Sequence, residues 1–384
     1  MWREVMLGAT ALLFLGQTLG ALRQLRYAQR LPAWRSFTPG ATSALSRRCT
    51  VIVPARDEGP RLEGTVLRLL AQQDVDLEVI VVDDRSSDGT GDLLRRLATL
   101  DRRVRAMRVD VLPDGWLGKC HACHIGATVA TGDWLLFTDA DCWMQPDVVA
   151  RALRVAAADS ADHIALTPGV ADATLGAQAW HLVFLTSVSG WMAGVNRDRP
   201  GAYFGMGAFN LVTATAYREC GGYQALRLTV VDDLKLGRLL QRAGKRTRAY
   251  IGGDDVECHW GSTVGAMFTA MEKNYFAAVD FRLLPVAGVA LLLPILIGGP
   301  WLGAWTGTGL GMLAAFAPLT LSLPASALAR RLHWPARAAL VAPWIHPLLL
   351  LAFLNSAVVT LSRGGIRWRD TFYPLDALRK GGVK

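Results

Sequence analysis

The chain has 384 residues, of which 52% are hydrophobic and only 19% charged, with a net charge of +9. Soluble chains average about 25% charged residues, and no Asp, Glu, Lys or Arg occurs between Glu4 and Arg23, between Arg282 and Arg330, or between Arg337 and Arg363. Uncharged apolar runs of that length exclude a purely soluble or wholly disordered protein.

Residues 1–22 read as an N-terminal transmembrane anchor. No small-x-small cleavage site precedes a plausible mature start, and the basic residues follow the apolar run instead of preceding it, which argues against a signal peptide. Residues 23–48 form a basic linker with Arg23, Arg26, Arg30, Arg35, Arg47 and Arg48. Residues 23–50 carry +6 and residues 362–384 carry +4, so the excess charge flanks apolar segments, where Lys and Arg face the cytoplasm and anionic lipid. A nucleic-acid footprint would be a basic patch on the folded domain, so no nucleic-acid partner is expected. In a cytoplasmic domain the six cysteines need not pair.

Residues 49–260 alternate strand-like runs (49–55, 77–84, 104–110 and 133–138) with helical stretches (61–72, 91–100 and 119–130). That alternation predicts an α/β domain with a mostly parallel sheet and ligands at the strand C-terminal ends. Over residues 261–282, Val264, Met267, Phe268, Met271, Tyr275, Phe276 and Val279 recur at helical spacing. They suit an amphipathic helix, either in the membrane interface or against the domain. Residues 283–361 supply two or three transmembrane segments, the last bent by Pro343 and Pro347, and residues 362–384 form a basic tail. Three spans would leave that tail outside, whereas its charge favours the inside; a re-entrant last segment would reconcile the two.

Acidic residues gather at the expected strand ends. The sequence reads Val-Ile-Val-Pro-Ala-Arg-Asp-Glu at 51–58, Val-Val-Asp-Asp-Arg-Ser-Ser-Asp-Gly-Thr at 81–90 and Leu-Leu-Phe-Thr-Asp-Ala-Asp at 135–141. Val-Val-Asp-Asp-Leu-Lys-Leu-Gly-Arg at 230–238 opens a helix. Asp139 and Asp141, delivered by an apolar strand, would raise each other's pKa unless a hard cation sat between them. Mg²⁺ characteristically takes one or two carboxylates plus phosphate oxygens. A turn-forming Asp pair is the plainer alternative.

These four elements, in this order and spacing, resemble family 2 of the inverting glycosyltransferases across roughly residues 50–260. Gly115-Trp-Leu-Gly-Lys119, Met271-Glu-Lys-Asn-Tyr-Phe276 and Ile366-Arg-Trp-Arg-Asp-Thr-Phe-Tyr373 resemble its membrane-bound branch, which glycosylates hopanoids, carotenoids and ceramide. The resemblance implies a GT-A nucleotide-sugar-binding fold in a multi-pass protein of the inner (plasma) membrane, with a cytoplasmic catalytic domain. It further implies a nucleotide-sugar donor, expected to be UDP-linked, and a lipid acceptor. Pro54, Arg56 and Glu58 would line the base pocket, with Asp83 or Asp84 bonding the base. Asp139 and Asp141 would hold Mg²⁺ or Mn²⁺, Asp139 also approaching the ribose, and Lys119 would meet diphosphate charge. Asp233 would be the general base and Asp232 would orient acceptor or sugar. Gly207, Asn210 and Trp260 would lie on the acceptor side. Processive members carry Gln-x-x-Arg-Trp after the acidic pair; here residues 257–261 read Glu-Cys-His-Trp-Gly, which argues for single-sugar transfer over polymer extrusion. Transfer to polyprenyl phosphate, or a non-enzymatic membrane scaffold, are the alternatives.

Cys120-His-Ala-Cys-His124 invites a zinc reading, but no second ligand pair has matching spacing, so buried thiols are expected. His259 is expected to make interfacial contact or pack beside Trp260, with an additional metal ligand as the alternative, and His346 is an unusual polar group within an apolar span.

Overall fold

The computed structural model describes residues 2–32, 34 and 48–383, and the chain divides into two compact units. The globular unit gathers Pro32–Ala171, Trp191–Trp260 and the tail from Asp376; the helical unit gathers the chain up to Leu31, Asp172–Gly190 and Gly261–Leu375. Arg35 and Arg47 of the expected linker lie outside the described residues. The first helix, α1 (Trp2–Arg30), continues through Arg23 and Arg26, so the start of the expected linker, up to Arg30, is helical.

In chain order the globular unit continues with β1 (Arg48–Ala55), α2 (Gly59–Leu70), β2 (Asp76–Asp84), α3 (Thr90–Leu100), β3 (Val104–Val109) and α4 (Gly118–Thr128). It then runs through β4 (Trp134–Phe137), β5 (Cys142–Met144), α5 (Val148–Ala158) and β6 (His163–Val170) to α6 (Leu175–Val195), which passes between the units. The return comprises β7 (Asn210–Thr213), α7 (Ala214–Glu219), α8 (Gly222–Ala225), α9 (Asp232–Arg242) and β8 (Thr247–Cys258).

Eight strands form one sheet in the order β3-β2-β1-β4-β7-β6-β8-β5. Strands β3, β2, β1 and β4 are mutually parallel, as is the β6–β8 pair, while β7 runs antiparallel to β4 and β6. Val51, Ile52 and Val53 of β1 and Val79–Val82 of β2 are fully buried. A strand covered on both faces reads as an unbroken apolar run, which is why these strands are legible in sequence. The parallel registers Ala55↔Asp83 and Ile52↔Phe137 bring the ends of β1, β2 and β4 to one edge. Because β7 is antiparallel, its first residue, Asn210, sits opposite Phe137 and arrives at that same edge.

In the helical unit, α10 (Val264–Met271) and α11 (Tyr275–Ala278) replace the single expected helix over 261–282. The break falls at Glu272–Asn274, where the backbone carbonyl of Glu272 accepts the Ser356 hydroxyl and that hydroxyl accepts from Phe276 N–H. Thereafter come α12 (Leu283–Trp305), α13 (Gly309–Phe316), a 3₁₀ turn (Ala317–Leu321), α14 (Ser322–Arg331) and α15 (Ala336–Arg363). A hairpin of β9 (Gly365–Trp368) and β10 (Thr371–Pro374) precedes α16 (Leu375–Gly381). Two of these helices, α12 and α15, are long and apolar enough to cross a bilayer among the described residues.

Candidate active site

Strand β4 ends at Phe137, and the chain turns at once into Thr138 and Asp139. Thr138 fixes the turn by donating its hydroxyl to the Ala208 carbonyl at 2.7 Å and its N–H to Ile52 O at 3.2 Å. Gly207, on the neighbouring loop, then links the Asp139 backbone to the Asp233 carboxylate. Its carbonyl accepts from Asp139 N–H at 3.1 Å, and its own N–H donates to Asp233 Oδ2 at 2.7 Å. A β-carbon at position 207 would lie 2.6 Å from Asp139 Oδ2, closer than side chains tolerate, so the approach requires glycine.

Asp232 and Asp233 occupy the first turn of α9, where the helix dipole favours negative charge. Asp232 is buried, accepts from the Tyr223 hydroxyl at 2.9 Å, and has its carboxyl pushed above the ordinary range by burial. Asp233 also accepts from Leu234 N–H at 2.8 Å, yet burial and then the Asp232 charge still push its carboxyl up. Lys119, in the first turn of α4, places Nζ 2.6 Å from Asp139 Oδ1 and 3.7 Å from Asp232 Oδ1. Burial pulls that lysine's pKa down, but the charges of Asp139, Asp232 and Asp233 outweigh it and hold it well above its ordinary value. Pro54, Lys119, Asp139, Gly207, Asn210 and Tyr223 are among the residues lining one cleft of about 190 Å³.

Asp141 follows one residue on. Burial first, then the charges of Asp139 and Glu58, raise its carboxyl to about 7. Two hard oxygen donors under such mutual repulsion suit a divalent cation of the Mg²⁺ or Mn²⁺ kind, with the remaining ligands supplied by phosphate and water. Among the described residues, no group of three or more His, Cys, Asp or Glu side chains converges as a complete protein cage; a two-carboxylate site has no need of one.

The other expected residues fall as follows. Asp83 has both oxygens engaged: Oδ1 accepts from Ser86 N–H at 3.0 Å and Oδ2 from Arg108 Nη1 at 2.7 Å. Asp84 is gripped by Arg85 at 2.8 and 3.0 Å, with Arg56 Nη1 at 4.0 Å, and a β-carbon on Gly118 would collide with it. Asp84 and the start of α4 are therefore in direct contact. Glu58 precedes α2 and donates its N–H to Thr90 Oγ1. Trp260 follows β8 and packs, partly buried, on the globular core. His259 donates its N–H to the Asp141 carbonyl and lays its ring 3.6 Å from that of Trp143. In the Cys-His-Ala-Cys-His segment, Cys120 Sγ donates to Thr229 O, Cys123 lines the cleft, and His124 stacks on Trp116.

Several participants carry no sequence signature. Tyr223 lies nine residues before its partner Asp232 with no motif between them. His163 is fully buried, and its Nε2 meets Asn210 Oδ1 at 2.6 Å. Since that amide oxygen only accepts, Nε2 carries the proton, and Nδ1 accepts from Thr247 Oγ1 at 3.1 Å. Asn210 Nδ2 in turn donates to the Asp233 carbonyl at 3.3 Å.

Comparison with known proteins finds glycosyltransferases. A 4,4'-diaponeurosporenoate glycosyltransferase of Staphylococcus haemolyticus is 36% identical over 106 residues, 28% of this chain and 27% of that protein. One of Staphylococcus aureus is 41% identical over 95 residues, 24% of this chain and 23% of its own length. The chain thus matches about a quarter of these relatives' length. The mannosyltransferase PcManGT of Pyrobaculum calidifontis, solved in complex with GDP-Man and Mn2+, shares the fold: the TM-score is 0.56 at 21% identity, over 93% of this chain and 98% of that one. Residues 50–221 match the model described as glycosyl transferase family 2, and the globular unit has the GT-A type of α/β fold.

Proposed function

We propose that this protein moves one sugar from a nucleotide diphosphate, expected to be UDP-linked, to the oxygen of a membrane lipid such as a hopanoid, carotenoid or sphingolipid, by a single inverting displacement. The observation that carries the reading is Gly207, which hydrogen-bonds the Asp139 backbone just past β4 and the Asp233 carboxylate at the start of α9, so that both carboxylates crowd its α-carbon. Those are the two groups that such a displacement needs close together.

In this reading Pro54, Arg56, Glu58 and one of Asp83 and Asp84 take the nucleotide. Asp139 and Asp141 would hold Mg²⁺ or Mn²⁺, which supplies charge neutralisation to the departing diphosphate. Lys119 adds a fixed positive charge on the same side. Asp233, with its carboxyl raised toward neutrality, accepts the proton of the attacking hydroxyl. Asp232, held by Tyr223 and Lys119, orients sugar or acceptor, and Gly207, Asn210 and Trp260 border the acceptor. The uncharged runs at the ends of the chain, with their basic flanks, would anchor the enzyme in the plasma membrane with the globular unit on the cytoplasmic side.

The staphylococcal relatives are named for a carotenoid carboxylate, an acceptor that is already anionic and leans less on a base. One experiment tests both versions. Protein in detergent with Mg²⁺ or Mn²⁺ is given radiolabelled UDP- and GDP-sugars and extracted bacterial lipids, and label entering the organic phase is counted. Metal-dependent label abolished by Asp233→Asn supports a hydroxyl acceptor. Label that survives that change points to a carboxylate or phosphate acceptor. No lipid label, with no nucleotide binding by calorimetry, would refute the enzyme reading.

A further inference from the structure

The membrane reading leaves one question about the helical unit: which segments cross. Length and apolarity single out α12 and α15, but the hydrogen bonds inside this unit point elsewhere for α15. At its N-terminal side, α15 starts five residues after Arg331, the last residue of α14. The Arg331 guanidinium donates to the carbonyls of Gln29 and Leu31, at the end of α1 where the chain leaves for the globular unit. At its C-terminal side, Arg363 Nη1 pairs with Glu272 Oε1 at 2.7 Å, and the Ser356 hydroxyl donates to the Glu272 carbonyl at 2.6 Å. Glu272 lies on the segment by which the chain arrives from the globular unit, eleven residues before α12 begins. Beyond Arg363 the chain makes only the β9–β10 hairpin before rejoining the globular unit at Asp376.

Both ends of α15 are therefore tied to places where the chain enters or leaves a domain that does not itself cross the bilayer. A helix of 28 residues spans up to about 42 Å, and α15 runs unbroken through Pro343 and Pro347 instead of folding back at them, so two ends at one membrane face place its axis along that face. We propose that α15 does not cross the membrane but lies in the cytoplasmic interface as a lipid-contacting helix. The crossings after the globular domain are then α12 and the broken return of α13, the 3₁₀ turn and α14.

The side chains agree. Ala338, Ala342, Ile345, Ala352, Ser356 and Thr360 form a buried stripe, while Leu340, Trp344, Leu351, Val358 and Leu361 form an exposed apolar stripe on the opposite face. That stripe is a face for acyl chains, and the tied ends, not the stripe, set the direction of the axis. Exposed Trp301 and Trp305 close the far end of α12 as an aromatic belt would. Arg282, Arg330 and Arg331 mark the near ends, and the basic tail returns to the cytoplasmic side as its charge requires.

The proposal rests on the membrane reading above, and one experiment separates the two. Trp305→Cys, Arg337→Cys and Ser362→Cys, all at exposed positions, are labelled with a membrane-impermeant maleimide in right-side-out and inverted bacterial vesicles, the unsubstituted chain giving the background. Arg337→Cys and Ser362→Cys are expected to label only in inverted vesicles and Trp305→Cys only in right-side-out ones. A fluorophore on Leu351→Cys should be quenched more by lipids brominated near the headgroup than by lipids brominated near the terminal methyl. Labelling of positions 337 and 362 from opposite faces, or the reverse quenching order, would overturn the assignment of α15 alone. Labelling of all three positions from one face, with release of the protein by alkaline carbonate, would overturn the membrane reading itself.

Discussion

Two acidic strand ends in the globular unit look alike in sequence and differ in physics. At the end of β2, Asp83 and Asp84 are met by arginines: Arg108 holds the first and Arg85 the second. At the end of β4 and the start of α9, burial raises Asp141, Asp232 and Asp233, the Asp139 charge adds to all three and the Asp232 charge to Asp233, with Lys119 lying 2.6 Å from Asp139 and 3.7 Å from Asp232. A carboxylate with a guanidinium partner is held in place by that partner. One raised toward neutrality retains affinity for a proton or a divalent cation.

The comparison breaks most visibly at Asp233. Asp233→Asn keeps the amide acceptor for Gly207 N–H but cannot take a proton, so transfer to a hydroxyl should fall by about 10²–10⁴-fold with the melting temperature unchanged. The wild-type rate should also fall on the acid side at a pH above the ordinary carboxylate range, because the base must be deprotonated to act and its carboxyl is raised. A rate profile flat through that region would break the assignment.

His163 sets a second, smaller effect, and in stability instead of rate. Burial, opposed by the Asn210 hydrogen bond and the Asp162 charge, lowers its folded-state pKa to about 4 from 6.5. Between those values the unfolded chain binds the proton and the folded one refuses it, so stability is lost as pH falls from about 6.5 to about 4. The full shift corresponds to about 3 kcal/mol. His163→Gln should flatten that acid limb in denaturant titrations, and an unchanged limb would remove His163 as its source.

The β-strands and the acidic motifs were legible because buried parallel strands are unbroken apolar runs and because paired carboxylates at their ends are conspicuous. What sequence did not disclose was the partner of each carboxylate. Arg108 lies 25 residues from Asp83, and Tyr223 and His163 join the site through pairings across the sheet and onto α9 that no spacing rule encodes. In the helical unit, hydropathy measures only how apolar a continuous helix is: α15 is long and apolar enough to cross, whereas α13 and α14, separated by a 3₁₀ turn and holding Pro324, are too short, and the topology proposed above exchanges their roles.

The finest test of the comparison lies at Asp83. If its carboxylate is structural, Asp83→Ala strands the buried Ser86 N–H and the Arg108 guanidinium, costing about 2 kcal/mol while the donor KM of the folded fraction stays near wild type. Arg108→Ala removes the half-exposed partner and leaves Ser86 N–H satisfied, so it should cost only about 1 kcal/mol. Should Asp83→Ala instead raise the donor KM with an unchanged melting temperature, Asp83 would belong with the nucleotide. A carboxylate can then be gripped by an arginine and still read a base, and the division between the two strand ends would lie in the ligand they meet, not in whether they meet one.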